Sequence, residues 1–278
     1  MRKLVMVLVV LGLVNVASAD IVNIRGIDID FVTIGNAGNA GDTGGTPGYG
    51  AVGYNYRIGK YEITNAQWNT FKGITGGDQL PVNMVSWYES SQFCNWLTSG
   101  DKYSGAYNFD QSGNFLGINR ETAQATYGTI YVLPTEDEWY KAAYYKPDGS
   151  GYSLYANGQN TIPPADNGWN YAGGTYGDPW NVATGTQEQN GTFDMMGNVW
   201  EWNETLLFEV GSLYRAVRGG CYLNPDGLLA SSGRGSYYPN DEGSNWIGFR
   251  VASVPEPATL LLLGLGALGL LRRKRSKA

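Results

Sequence analysis

Asp194-Met195-Met196-Gly197-Asn198-Val199-Trp200-Glu201-Trp202 is the stretch on which the reading of this chain turns. Its end predicts a short strand over Asn198–Trp202. Downstream, Ala216–Tyr222 and Gly248–Ser253 read as further short strands. Upstream, three capping boxes mark helix starts: Thr64 with Gln67, Ser86 with Glu89, and Thr135 with Glu138. In each, a hydroxyl caps a free backbone N–H and the Glu or Gln reaches back. The helices predicted from them are Asn65–Phe71, Trp87–Leu97 and Glu136–Tyr144. Their apolar sides carry Trp68 and Phe71, then Trp87, Cys94 and Leu97, then Trp139, Ala142 and Ala143. Nearer the start, residues 21–34 alternate apolar and polar and predict a strand. Gly35–Gly50 is a solvated loop without the lysine of a phosphate-binding loop. Residues 51–63 predict another strand, with Tyr54, Tyr56 and Ile58 on one face.

Composition agrees. Of 278 residues 40 are Gly, 13% are aromatic and only 16% are charged. Such a chain favours short strands and long ordered loops over a helical bundle. It has no histidine. That excludes a Ser–His–Asp or Cys–His nucleophile, a His-ligated zinc or iron, and a His general base.

The two ends have their own logic. Residues 1–19 read as a secretory signal: Arg2 and Lys3, an apolar run from Leu4 to Val14, then Ala17-Ser18-Ala19 as the cleavage site. At the other end, Val254-Pro255-Glu256-Pro257 precedes an apolar run over Ala258–Leu271, followed by Arg272, Arg273, Lys274, Arg275 and Lys277. This arrangement resembles the PEP-CTERM sorting tail of Gram-negative bacteria. The resemblance implies a short transmembrane helix over 258–271, a basic flank held in the cytoplasm, and an exosortase that processes the tail after export. The domain expected between, residues 20–254, keeps 12 basic and 24 acidic residues, a net charge of −12. Nucleic acid and anionic membrane surfaces are poor partners for it. The expected location is the inner membrane first, then the cell envelope, the surface or the exterior.

Six motifs carry a wider resemblance: Tyr61–Trp68 (YEITNAQW), Pro81–Leu97 (PVNMVSWYESSQFCNWL), Leu133–Ala143 (LPTEDEWYKAA), Asp194–Trp202 (DMMGNVWEW), Arg218–Tyr222 (RGGCY) and Gly248–Ala252 (GFRVA). In this order they resemble the formylglycine-generating enzymes, or sulfatase-modifying factors. The resemblance implies an α+β fold of the irregular C-type-lectin-like kind, with short strands, few helices and long loops.

It also implies where chemistry belongs. The family's oxidases bind copper(I) through two cysteines, at positions that here hold Asn224 and Leu229, while Cys221 stands where the family has serine. One soft ligand cannot reproduce a two-thiolate copper site, so copper is not expected. The family's iron-dependent branch needs histidines. Cys221 remains the sole candidate nucleophile, with Arg215 and Arg218 as its nearest cations in sequence; a small buried residue is the simpler reading. The resemblance places a calcium ion on the side chains of Asp194 and Glu201 and the carbonyls of Gly197 and Val199, an all-oxygen set suited to a hard cation. Alternatively, Glu201 pairs with an arginine and Asp194 caps a turn. A weaker calcium candidate uses Asn167 and Asp178. Arg218, Arg234 and Arg250 match family arginines and predict buried pairs with Glu62, Glu138 or Glu201. Cys94 and Cys221 allow one disulfide, although the family's cysteine at the Cys94 position pairs with a position that here is Val251. The expected function is a calcium-stabilised binding or structural module at the cell envelope. The alternatives are a divergent oxidoreductase or oxygenase of the same family, and a protein that binds extracellular polysaccharide through its aromatic residues; Trp200 and Trp202 could stack on sugar rings if exposed, but core packing is the usual role of Trp.

Overall fold

Among the described residues, three of the four α-helices start at the residues that cap them. A computed structural model describes residues 19–172, 177–209, 212–241 and 244–254. Helix α1 (Asn65–Lys72), α2 (Trp87–Ser99) and α4 (Glu136–Tyr144) each carry both reciprocal bonds of the capping box, at Thr64, Ser86 and Thr135. A further helix, α3 (Arg120–Tyr127), has no such signature: Asn119 caps it alone, and only Ala123 is buried.

The main sheet has five antiparallel strands in the order β1 (Ala19–Ile24), β2 (Ile27–Ile34), β3 (Tyr56–Gly59), β11 (Ala252–Val254), β6 (Ile130–Val132). A second sheet runs β10 (Ile247–Gly248), β7 (Trp200–Glu209), β8 (Ser212–Arg218), β9 (Gly235–Tyr237). A two-stranded ribbon joins β4 (Tyr107–Phe109) to β5 (Phe115–Ile118).

The main sheet is buried on both faces, as β2 shows. Its Ile27, Ile29 and Phe31 enter a core with Trp68, Trp87, Phe93 and Phe249, beneath α1 and α2. Its Val32 and Ile34 enter a second core with Trp139, Tyr144, Met195 and Leu229, beneath α4.

Several strand expectations are corrected. Residues 21–34 form a hairpin, not one strand, because Arg25 and Gly26 both take positive φ (53° and 85°) and close a two-residue turn. Only Tyr56–Gly59 of residues 51–63 is strand. Tyr56 and Ile58 are buried, whereas Tyr54 is 42% exposed. The strand foreseen at Asn198–Trp202 begins later and extends to Glu209. Trp200 and Trp202 are both buried, so neither offers a face to a sugar. The stretches read as signal (1–19) and as tail (255–278) lie outside the described residues, apart from Ala19. No helix among the described residues is long and apolar enough to cross a membrane.

Candidate functional site

Between Phe193 and Glu201 the chain coils tightly, because Asp194 (φ 61°), Gly197 (93°) and Asn198 (58°) all take left-handed backbone. Gly197 admits no side chain, since a Cβ there would stand 2.2 Å from the carbonyl oxygen of Asn170. The Asn198 amide is the hub. Its Oδ1 accepts from the Trp180 N–H (2.8 Å) and from Asn170 Nδ2 (3.1 Å), and its Nδ2 donates to Glu62 Oε2 (2.8 Å). Glu62 Oε1 accepts from the Val199 N–H at 3.3 Å.

Glu201 leaves this coil at the start of β7 and meets Arg250 in a bidentate pair, with both contacts at 2.6 Å. The Trp139 indole N–H adds a bond at 2.8 Å to Oε2. The remaining Arg250 donors reach the carbonyls of Gly59, Lys60 and Phe193. Three donors therefore occupy Glu201, and its Oε1 keeps one acceptor direction open. Asp194 is 8% exposed, and its Oδ2 has no hydrogen-bond partner.

The region has an excess of buried acid. Burial, opposed by Arg250 and helped by Glu201, raises the Asp194 pKa to about 7. Burial also raises Glu188 to about 8, and its Oε1 is unpartnered. Glu62 is pushed well above the usual carboxylate range by burial and by the charges of Asp194 and Glu201. One guanidinium thus faces four carboxyl groups. Among the described residues no three acidic or cysteine side chains are arranged to hold a metal ion. A cation here must therefore draw on two carboxylates and on backbone oxygens. Asn167 and Asp178 are both exposed and stand on either side of residues 173–176, which lie outside the described ones.

The arginines form pairs that the sequence located in part. Arg250 takes Glu201, one of the three partners foreseen for the arginines and the alternative foreseen to a calcium ligand there. Arg218 and Arg234 share Glu136, at 2.7 and 2.6 Å, and not Glu62 or Glu138. Glu136 sits beside the capping residue, where its acidity reads as mere helix-end charge. Glu138 is held by Arg120, which also reaches Glu204.

At the two positions where the family's oxidases carry copper cysteines, the structure shows a turn and a plug. Asn224 Oδ1 accepts from the Cys221 N–H and the Asn224 N–H donates to the Cys221 carbonyl, both at 2.9 Å. Leu229 is fully buried in the second core. Cys221 and Cys94 are free and buried, with no bridge between them. Burial pushes both thiols up in pKa.

Comparison with known proteins is consistent with these features. Residues 22–254 match the family profile described as the sulfatase-modifying factor enzyme 1-like domain, and residues 253–275 match the PEP-CTERM protein-sorting motif. The chain is 27% identical over 171 residues to the chaperone protein LppX of Paenibacillus barcinonensis, covering 53% of this chain and 61% of that one. It is 28% identical over 194 residues to the inactive C-alpha-formylglycine-generating enzyme 2 of Mus musculus, covering 65% and 51%. The matches thus span between about half and three-fifths of those relatives' lengths. Among solved structures, the Treponema denticola variable protein 1 superposes with a TM-score of 0.66 at 20% identity, covering 87% of this chain and all of that one. That likeness shows the fold: an irregular, C-type-lectin-like α+β domain.

Proposed function

The chain belongs to the sulfatase-modifying factor enzyme 1-like family, and from that premise we propose that it is an exported, non-catalytic member, a calcium-stabilised binding or structural module of the cell envelope. The observation that carries this reading is the pair Asn224 and Leu229. One closes a turn and the other fills the core, where copper chemistry needs two thiolates. Cys221 does not replace them. It is buried, its pKa is raised, and the nearby Arg215 and Arg218 are occupied by the Glu204 carbonyl and by Glu136. The relative named as inactive supports the same direction.

Asp194, Glu201 and the carbonyls of Gly197 and Val199 would hold the calcium. Its role there would be to neutralise buried acid and pin the 193–201 coil to β7. The sorting motif supports export and exosortase-type processing of residues 255–278.

The test of the non-catalytic reading is direct. The purified chain is incubated with copper, oxygen, a reductant and a sulfatase-motif peptide, and the peptide is weighed by mass spectrometry. The expected outcome is unmodified cysteine; copper-dependent formylglycine above a blank would refute the reading.

A further inference from the structure

A cavity of about 310 Å³ is lined in part by Asp42, Gly45, Tyr152, Leu154, Asn160 and Ser231. Its size is at the small end of ligand sites and suits one ring-sized molecule. No basic side chain lines it.

The floor is polar and incompletely used. Ser231 is fully buried, and its Oγ makes no short hydrogen bond, only a long contact to the Tyr140 hydroxyl. It lies beside the Tyr140 hydroxyl, which already gives its proton to Asp42 Oδ2 at 2.6 Å. Asp42 also accepts from the N–H groups of Gly44 (2.8 Å) and Gly45 (3.1 Å). Burial alone would raise its pKa, but the bonds from Tyr140 and from the backbone of Gly44, Gly45 and Thr46 outweigh burial and hold it below the usual range. It therefore stays an ionised acceptor. The loop is shaped around the serine: a Cβ on Gly45 would stand 2.0 Å from Ser231 Oγ.

The walls differ from the floor. Tyr152 gives its hydroxyl to the carbonyls of Ala40 and Gly50, both at 2.9 Å, and contributes an aromatic surface beside Leu154. Asn160 lies at the exposed side, with its Oδ1 accepting from the Leu154 N–H at 3.0 Å.

A strong acceptor, a spare hydroxyl and a carboxamide, beside an aromatic and an aliphatic wall, match a molecule with several hydroxyls on one side and C–H groups on the other. A carboxylate or phosphate ligand would meet the charge of Asp42, while the nearby Arg218, which bonds the Ser231 carbonyl, is already committed to Glu136. We propose that this cavity binds one neutral saccharide unit, with Asp42, Ser231 and Asn160 taking its hydroxyls and Tyr152 and Leu154 its apolar face. This gives a ligand class to the binding-module reading and rests on that part of it.

The test uses the full-length chain in phosphocholine micelles, since sugar-headed detergents would compete. Methyl glycosides of glucose, galactose, mannose, rhamnose and N-acetylglucosamine, with glucuronate as the charged control, are titrated by saturation-transfer NMR. At least one neutral glycoside is expected to bind in preference to glucuronate. Ser231→Ala is expected to weaken it about two- to tenfold with little change in melting, because the lost hydroxyl only touches Tyr140, whose own proton goes to Asp42. Asn160→Ala is expected to weaken it by a similar factor. The proposal falls if no neutral glycoside binds, if glucuronate binds better, or if binding survives both substitutions together. Formylglycine formation alongside sugar binding would sink the non-catalytic reading and leave this cavity standing; the opposite pair of results would do the reverse.

Discussion

Lys141 is a fully buried cation, and among the described residues no carboxylate pairs with it. Its Nζ donates to the Asn36 carbonyl at 3.0 Å and lies 5.8 Å from the Tyr145 ring centre. Burial lowers its pKa to about 8 from an ordinary 10.5. Between those values the unfolded chain holds a proton that the folded chain has lost, so this residue's contribution to stability rises with pH across that window. A Lys141→Met variant should thus be at least as stable as the parent at pH 7, and its advantage should shrink from pH 8 to 10. Denaturant midpoints at each pH measure this, and a constant gap would contradict it. The thiols allow a simpler check. Cys94 is inaccessible and Cys221 is 2% exposed. Neither should react with iodoacetamide in the native protein at pH 7.5, and both should titrate in the unfolded, unreduced protein.

At the scale of elements, Glu136 ties the start of α4 to the end of β8 through Arg218 and to the following loop through Arg234. Arg218 is fully buried, so Glu136→Gln strands a charge and should cost about 3–5 kcal/mol in chemical denaturation. Ser86→Ala, which removes only a cap from α2, should cost about 1 kcal/mol. Comparable losses would show that the clamp is not holding a desolvated charge. The same contrast explains what was legible beforehand. Capping boxes are local, so Thr64, Ser86 and Thr135 announce their helices in the sequence alone. Helix α3 has an Asn cap and a Thr at the third position, and its register is set by packing of Ala123 against distant residues. That Glu201 pairs with an arginine was legible because it and Arg250 each sit in a recognisable motif, but which arginine it takes was set by the fold. Glu136 was not, because its partners come from 82 and 98 residues downstream and nothing in its own neighbourhood marks it as bridging. The Asn198 hub was hidden for the same reason: its partners come from Glu62, Asn170 and Trp180, which only the fold brings together.

For the whole molecule, the calcium site proposed above would make stability answer to divalent cations. A ligand that binds only the folded form adds about 2.7 kcal/mol at a hundredfold excess over Kd. Melting should rise with calcium, and rise less in Asp194→Asn, which leaves the Glu201–Arg250 pair intact; equal responses would remove Asp194 from the site. Location is tested by fractionating cells with and without residues 255–278. The full-length domain should be reached by external protease once the outer membrane is permeabilised, and a protected cytosolic domain would overturn the topology. The place of β11 has one more consequence. Val254 is the last described residue, yet its strand lies inside the main sheet, hydrogen-bonded to β3 on one side and β6 on the other. A chain that crosses a membrane from its N-terminus must therefore carry β3 and β6 across with the gap between them unfilled, and can seal the sheet only when residues 252–254 follow. Completion of the fold and arrival of the sorting tail become nearly one event, so a chain halted early in transit is an open sheet, and only one that has travelled its whole length presents a finished domain for release.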